Sequence, residues 1–94
     1  MRAAEPGVYY HDEVELNRLG YSLVTDGQLP AAIEIFRLIT IAFPLSANAH
    51  DSLGEAYRTQ GDREAAIRSY RRSLELNPRS RGGHQALAEL EAER

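Results

Sequence analysis

One interval, 34 residues, governs what this chain can become. Sliding the sequence by that distance sets Glu13–Ser46 on Ala47–Ser80, and ten positions coincide: Leu19/Leu53, Gly20/Gly54, Thr25/Thr59, Gly27/Gly61, Ala31/Ala65, Ala32/Ala66, Ile33/Ile67, Arg37/Arg71, Pro44/Pro78 and Ser46/Ser80. Ordinary composition gives about two such matches. Asp12, Ser46 and Ser80 keep the same interval, and all three are residue types that cap helix N-termini. The chain is therefore built from two copies of one unit, and neither copy can bury its apolar side without the other.

Each unit reads as two antiparallel helices. Asp12 with Glu15 forms a capping box, and Leu16, Leu19 and Leu23 follow at helical spacing. Asp26-Gly27 stops that helix, because glycine takes the left-handed conformation freely. A second helix is expected over about Pro30–Phe43, closed by Pro44. The pattern then restarts. Ser46 caps a helix whose inward face is Leu53, Ala56 and Tyr57, and Gly61 breaks it. Asp62 caps the next, with Ala66, Ile67, Tyr70 and Leu74 inward and Pro78 at its end. Ser80 caps a fifth helix, about Arg81–Glu93, with no partner after it. Gly20 and Gly54 lie where a side chain would hold the paired helices apart; Ala32 and Ala66 are their small counterparts, and Phe36 and Tyr70 fill the gap one turn later.

Residues 1–11 read as a flexible lead-in and 12–94 as one repeat domain: repeats at 13–46 and 47–80, then a capping helix at 81–93. Ninety-four residues can bury only a modest core, with about 5–14 kcal/mol of stability. No apolar run approaches the roughly 20 residues that span a bilayer, and MRAAEPGVYY lacks a signal-peptide core, so a cytoplasmic chain away from membranes is expected. There is no cysteine, which removes thiolate chemistry and cysteine zinc sites. All 11 basic residues are arginine, which removes lysine-based mechanisms.

A 34-residue helix-turn-helix with Leu53, Gly54, Tyr57, Ala66, Tyr70 and Pro78 in this order resembles a tetratricopeptide repeat. The resemblance covers Glu13–Ser80 as two repeats, and Arg81–Arg94 resembles the family's extra capping helix. It implies an all-α, α-α superhelix. The family's usual tryptophan position holds Leu16, His50 and His84, and Leu23 stands for the first tyrosine. More narrowly, LNRLGYSL, AIEIFRLITIAFP and NAHDSLGEAY are similar to the tetratricopeptide tails that follow the catalytic domain of some bacterial β-lactamase-like serine hydrolases.

The resemblance also implies a concave groove lined by the first helix of each hairpin. Here it would present Asn17, Arg18, Tyr21, Asn48, Asp51, Ser52, Glu55, Arg58, Gln85 and Glu89. The family's clamp for acidic chaperone tails uses Lys, Asn and Arg; only Asn17 fits, with Tyr21, Ser52, Gly82 and Ala86 at the other places. Asp51, Glu55 and Glu89 would repel a terminal carboxylate, so a polar or basic peptide suits this groove better, the alternative being a solvated surface that holds no ligand.

No catalytic or metal constellation survives inspection. His50-Asp51-Ser52 has the letters of a hydrolase triad, but consecutive helix residues point about 100° apart and cannot meet at one atom. His11 and His84 have no convincing metal-ligand partners at helical spacing, and no cofactor motif is present. The Arg63–Arg81 stretch reads as a solvated face with Glu64–Arg68 and Arg71–Glu75 pairs rather than a phosphate strip; with a net charge of −3, nucleic acid is not the expected partner.

One anomaly points to function. Ile35, Leu38, Ile41 and Phe43 stand where the second repeat has Ser69, Arg72, Glu75 and Asn77. Ile33 and Phe36 already fill the inward positions, so this second stripe is expected to face outward as an interface. Either Val8–Tyr10 folds over it, or another chain or an adjacent domain covers it, with a homodimer the first expectation. The chain thus reads as a non-catalytic module that binds protein or peptide. The alternative is a structural appendage of a serine hydrolase whose catalytic domain lies outside this sequence.

Overall fold

In the computed structural model, which describes residues 13–93, each helix starts and stops where the sequence can satisfy the backbone groups that a helix leaves open. The order is α1 (Glu13–Thr25), α2 (Leu29–Ala42), α3 (Ala47–Gln60), α4 (Arg63–Leu76) and α5 (Arg81–Ala92), with no strand among the described residues. Ser46, Asp62 and Ser80 cap α3, α4 and α5, accepting from the backbone N–H of Ala49, Ala65 and Gly83 at 3.1 Å each. Gln28 makes no such bond ahead of α2, where Pro30 in the first turn supplies the preset φ instead. Both corners turn on a left-handed glycine, Gly27 at φ 77° and Gly61 at φ 96°. At the second corner the N–H groups of Gly61 and Asp62 both donate to Tyr57 O at 3.0 Å, closing the last turn of α3. The anticipated lead-in, the Asp12 cap and the fold-back of Val8–Tyr10 lie outside the described residues.

The helices form an all-α superhelix of two hairpins and a fifth helix. α1 pairs with α2 and α3 with α4; α2 packs on α3, and α4 on α5. The apolar interior falls into two linked clusters. Ala32, Ile33, Phe36 and Ile39 of α2 meet Ala49, Leu53 and Ala56 of α3 in one, and Ala66, Ile67 and Tyr70 of α4 meet Leu90 of α5 in the other. Tyr57 touches both. Close helix approach depends on the paired glycines: a Cβ on Gly20 would lie 2.5 Å from Phe36 Cε1, and one on Gly54 would lie 3.0 Å from Tyr70 Cδ2.

The structure corrects two readings. The α2 stripe does not face outward as a whole. Ile35 and Phe43 share an i, i+4 row with the buried Ile39 and pack against the first cluster, because α2 is covered by both α1 and α3. Leu38 and Ile41 alone remain open, at 53% and 73% exposure, joined by Leu45 in the following turn. The charged face of α4 is also wired differently. Arg71 reaches across to Glu91 of α5 at 2.6 Å, and Arg72 takes Glu75 at 2.9 Å.

Candidate functional site

The first helices of the units, α1, α3 and α5, lie side by side, and their facing side chains are laced together. Tyr21 O–H donates to Glu55 Oε1 at 2.8 Å, with Ser52 Oγ 3.1 Å from the same hydroxyl. Ser52 donates in turn to Asn17 Oδ1 at 3.1 Å. Farther along, Arg58 donates to Glu89 at 2.9 Å, and Gln85 donates to the other oxygen of Glu89 at 3.2 Å. These bonds follow from the repeat, since Tyr21 and Glu55 are the same position one unit apart, as are Asn17 and Asp51.

Burial sets the electrostatics of this surface. Desolvation pushes the Tyr21 hydroxyl up to about 12, so it stays a donor to Glu55 at any ordinary pH; its ring is held edge-on to Phe36, centroids 5.1 Å apart. Tyr70 is likewise raised to about 12 by burial and then by the negative charges of Asp51 and Glu55. Asp51 is raised by burial first and by Glu55 second. Glu89 is lowered by the hydrogen bond from Arg58. The middle of the surface is acidic and its α5 end neutralised.

The ten residues anticipated for the groove do not behave alike. Asn17, Tyr21, Ser52 and Glu55 form one network, and Arg58, Gln85 and Glu89 a second. Ser52 is buried, so it positions Asn17 and Tyr21 rather than presenting its hydroxyl. Arg18 belongs to neither network; it pairs with Glu15 on its own helix. Asn48 and Asp51 line a cleft with Ala47, Ser73, Asn77 and Ser80. Sequence reading missed Ser73 and Asn77 as residues lining this cleft, although the polar replacements of Ile39 and Phe43 were visible in the repeat comparison. It also missed the role of the histidines. His50 Nε2 sits 3.3 Å from Pro44 O, and His84 Nε2 sits 2.7 Å from Pro78 O, tying each new helix to the proline that ended the last.

Among the described residues no three His, Asp or Glu side chains gather as a metal site, and no helix is long and apolar enough to cross a membrane. No curated protein matches the chain. The tetratricopeptide repeat family matches residues 47–80, which are α3, α4, the corner between them and the turn that follows. Residues 47–80 are a tetratricopeptide repeat, set within an all-α helical superhelix.

Proposed function

We propose that this chain is a non-catalytic protein–protein interaction module that self-associates through the outer face of α2. The observation that carries the proposal is the exposure of Leu38, Ile41 and Leu45 where the second repeat places Arg72, Glu75 and Arg79. A two-fold contact would bring six such side chains out of water. At roughly 2 kcal/mol each they supply about 12 kcal/mol, less the 4 kcal/mol or more that rigid-body association costs. That leaves a dimer of about micromolar strength or weaker. Ile35 and Phe43 back this face from the core side. Light scattering across a concentration series tests it: wild type is expected to double in mass toward high micromolar concentration, and Leu38→Glu to stay monomeric. A wild type that remains monomeric removes the homodimer. If the chain belongs to a longer hydrolase, the same face would meet the catalytic domain, and the upstream reading frame decides that alternative.

A second surface is favoured by a separate observation. Asp51 and Glu55 lie at the centre of the α1–α3–α5 groove, while Arg18, Arg37, Arg58, Arg63, Arg71 and Arg72 each face a glutamate. Such a groove suits a polar or basic peptide and disfavours nucleic acid. A peptide array that responds to Tyr21→Ala and Arg58→Ala supports it; an array blind to both leaves the groove without a role.

A further inference from the structure

The two repeats differ at one corner in a way that opens a pocket. In the first, Glu13 stands at the start of α1 and accepts a hydrogen bond from the Ser46 hydroxyl, while Ile39 is fully buried beneath and Phe43 packs alongside. One interval later the same places hold Ala47, Ser80, Ser73 and Asn77. A carboxylate plug, an isoleucine and a phenylalanine have become alanine, serine and asparagine. The space they vacate is a cleft of about 130 Å³ where the start of α3, the end of α4 and the Ser80 cap of α5 converge.

Two polar groups in this cleft are unspent. Ser73 is 1% exposed, and its hydroxyl has no hydrogen-bond partner among the described residues. The Asp51 carboxylate has neither ion pair nor hydrogen bond among them, and its charged neighbour Glu55 repels it. A buried polar group left unpaired costs about 1–3 kcal/mol, and the half-buried Asp51 carboxylate carries part of such a cost. The rest of the lining is the amides of Asn48 and Asn77, the hydroxyls of Ser73 and Ser80 and the methyl of Ala47, which leaves room for the aliphatic stem of a side chain beside its polar end. The helix N-termini of α3 and α5 carry only about half a positive charge each, and Ser46 and Ser80 already occupy the Ala49 and Gly83 N–H groups there. The full charge of Asp51 decides the sign, and the volume is close to that of cavities that hold a benzene-sized group (~150 Å³).

We propose that this cleft is a binding pocket for a cationic side chain, an arginine or lysine of a partner peptide, with Asp51 as the counter-ion and Asn48, Ser73 and Asn77 as hydrogen-bonding walls. It rests on the peptide-groove reading above and names the chemistry of one anchor; it is independent of the α2 face. The probe is acetyl-Gly-Ser-Arg-Ser-Gly-amide, titrated into isotopically labelled protein and followed by amide chemical shifts. Its citrulline counterpart tests the charge, and agmatine tests the cation free of a peptide. Saturable shifts at Asn48, Asp51, Ser73 and Asn77 are expected with the arginine peptide, none with citrulline, and weaker ones with agmatine. Asp51→Asn is expected to weaken binding about tenfold or more, the loss of one charge-assisted contact. Ala47→Glu, which restores the plug of the first repeat, is expected to abolish it in a folded protein. Equal binding of the citrulline peptide, or unchanged binding in both variants, would overturn the pocket. Shifts that survive both variants but vanish in Tyr21→Ala sink the pocket and leave the groove standing; no shift with any peptide sinks both. Agmatine binding as tightly as the peptide overturns the peptide as source.

Discussion

Two glycines at one repeat position make unequal demands on their surroundings. Phe36 is fully buried, and Tyr21 stands edge-on to it, so it cannot withdraw from a Cβ only 2.5 Å away on Gly20. Gly20→Ala is expected to destabilise by about 1–2 kcal/mol, overpacking outweighing the ~1 kcal/mol that alanine gains in a helix. Tyr70 needs to tilt only slightly from a Cβ 3.0 Å away, so Gly54→Ala is expected to fall within about 1 kcal/mol of wild type. Urea midpoints of the two variants check the order, and a costlier Gly54→Ala would contradict it. The need for small residues here was legible from the repeat match; the difference between the two was not, because it depends on how tightly each ring is hemmed in. Asp51 shows a second limit of the same kind. Its position on the groove could be read, but not its isolation. Burial and Glu55 raise its carboxyl, so the folded chain keeps that proton to higher pH than the unfolded chain does. Stability from this group is therefore lost as pH rises from the ordinary aspartate value (~3.9) through the raised one. Asp51→Asn is expected to stabilise the protein at pH 7 and to match wild type below about pH 4, read from thermal melts across that range.

Among the elements, α5 carries the largest share of what repetition alone does not specify. It closes the second cluster through Leu90, 2% exposed, with Ala86 and Leu87 beside it. Toward its C-terminal end Glu89, Glu91 and Glu93 meet Arg58, Arg63 and Arg71 from the second repeat. These ion pairs are exposed and contribute little, about 0–1 kcal/mol each. Leu90→Ala is expected to cost about 2–4 kcal/mol and to strip hydrogen-exchange protection from α5 first. Arg71→Ala is expected to cost under about 1 kcal/mol with that protection retained. Comparable losses in the two variants would make the ion pairs, not the apolar contact, the fastener of α5. The helix ends were legible to within a residue or two because Ser46, Asp62, Ser80, Gly27 and Gly61 act on their own nearest backbone. Azimuth was harder to read. Arg71 was matched with Glu75 by spacing, but α5 brings Glu91 nearer, and Ile35 and Phe43 turned inward because helices cover α2 on two sides.

For the molecule as a whole, the α2 face and the core must answer differently to the same kind of substitution. Leu38 and Ile41 project from the fold, so a charge there should leave the monomer intact; Ile35 packs against the first apolar cluster, so a charge there should unfold it. Self-association adds a further signature, because a dimer that forms only from folded chains is stabilised by mass action. Each tenfold rise in concentration above the dissociation constant contributes about 0.7 kcal/mol per protomer, which for a domain of this size is roughly 3–5 °C in Tm. Wild type is expected to show that slope, and Leu38→Glu to melt at one temperature throughout, close to the wild-type value in dilute solution. Ile35→Glu is expected to melt far lower at every concentration. A flat wild-type Tm would place the partner of this face outside the chain itself. A Leu38→Glu variant that melts as low as Ile35→Glu would mean that Leu38 belongs to the core despite its exposure.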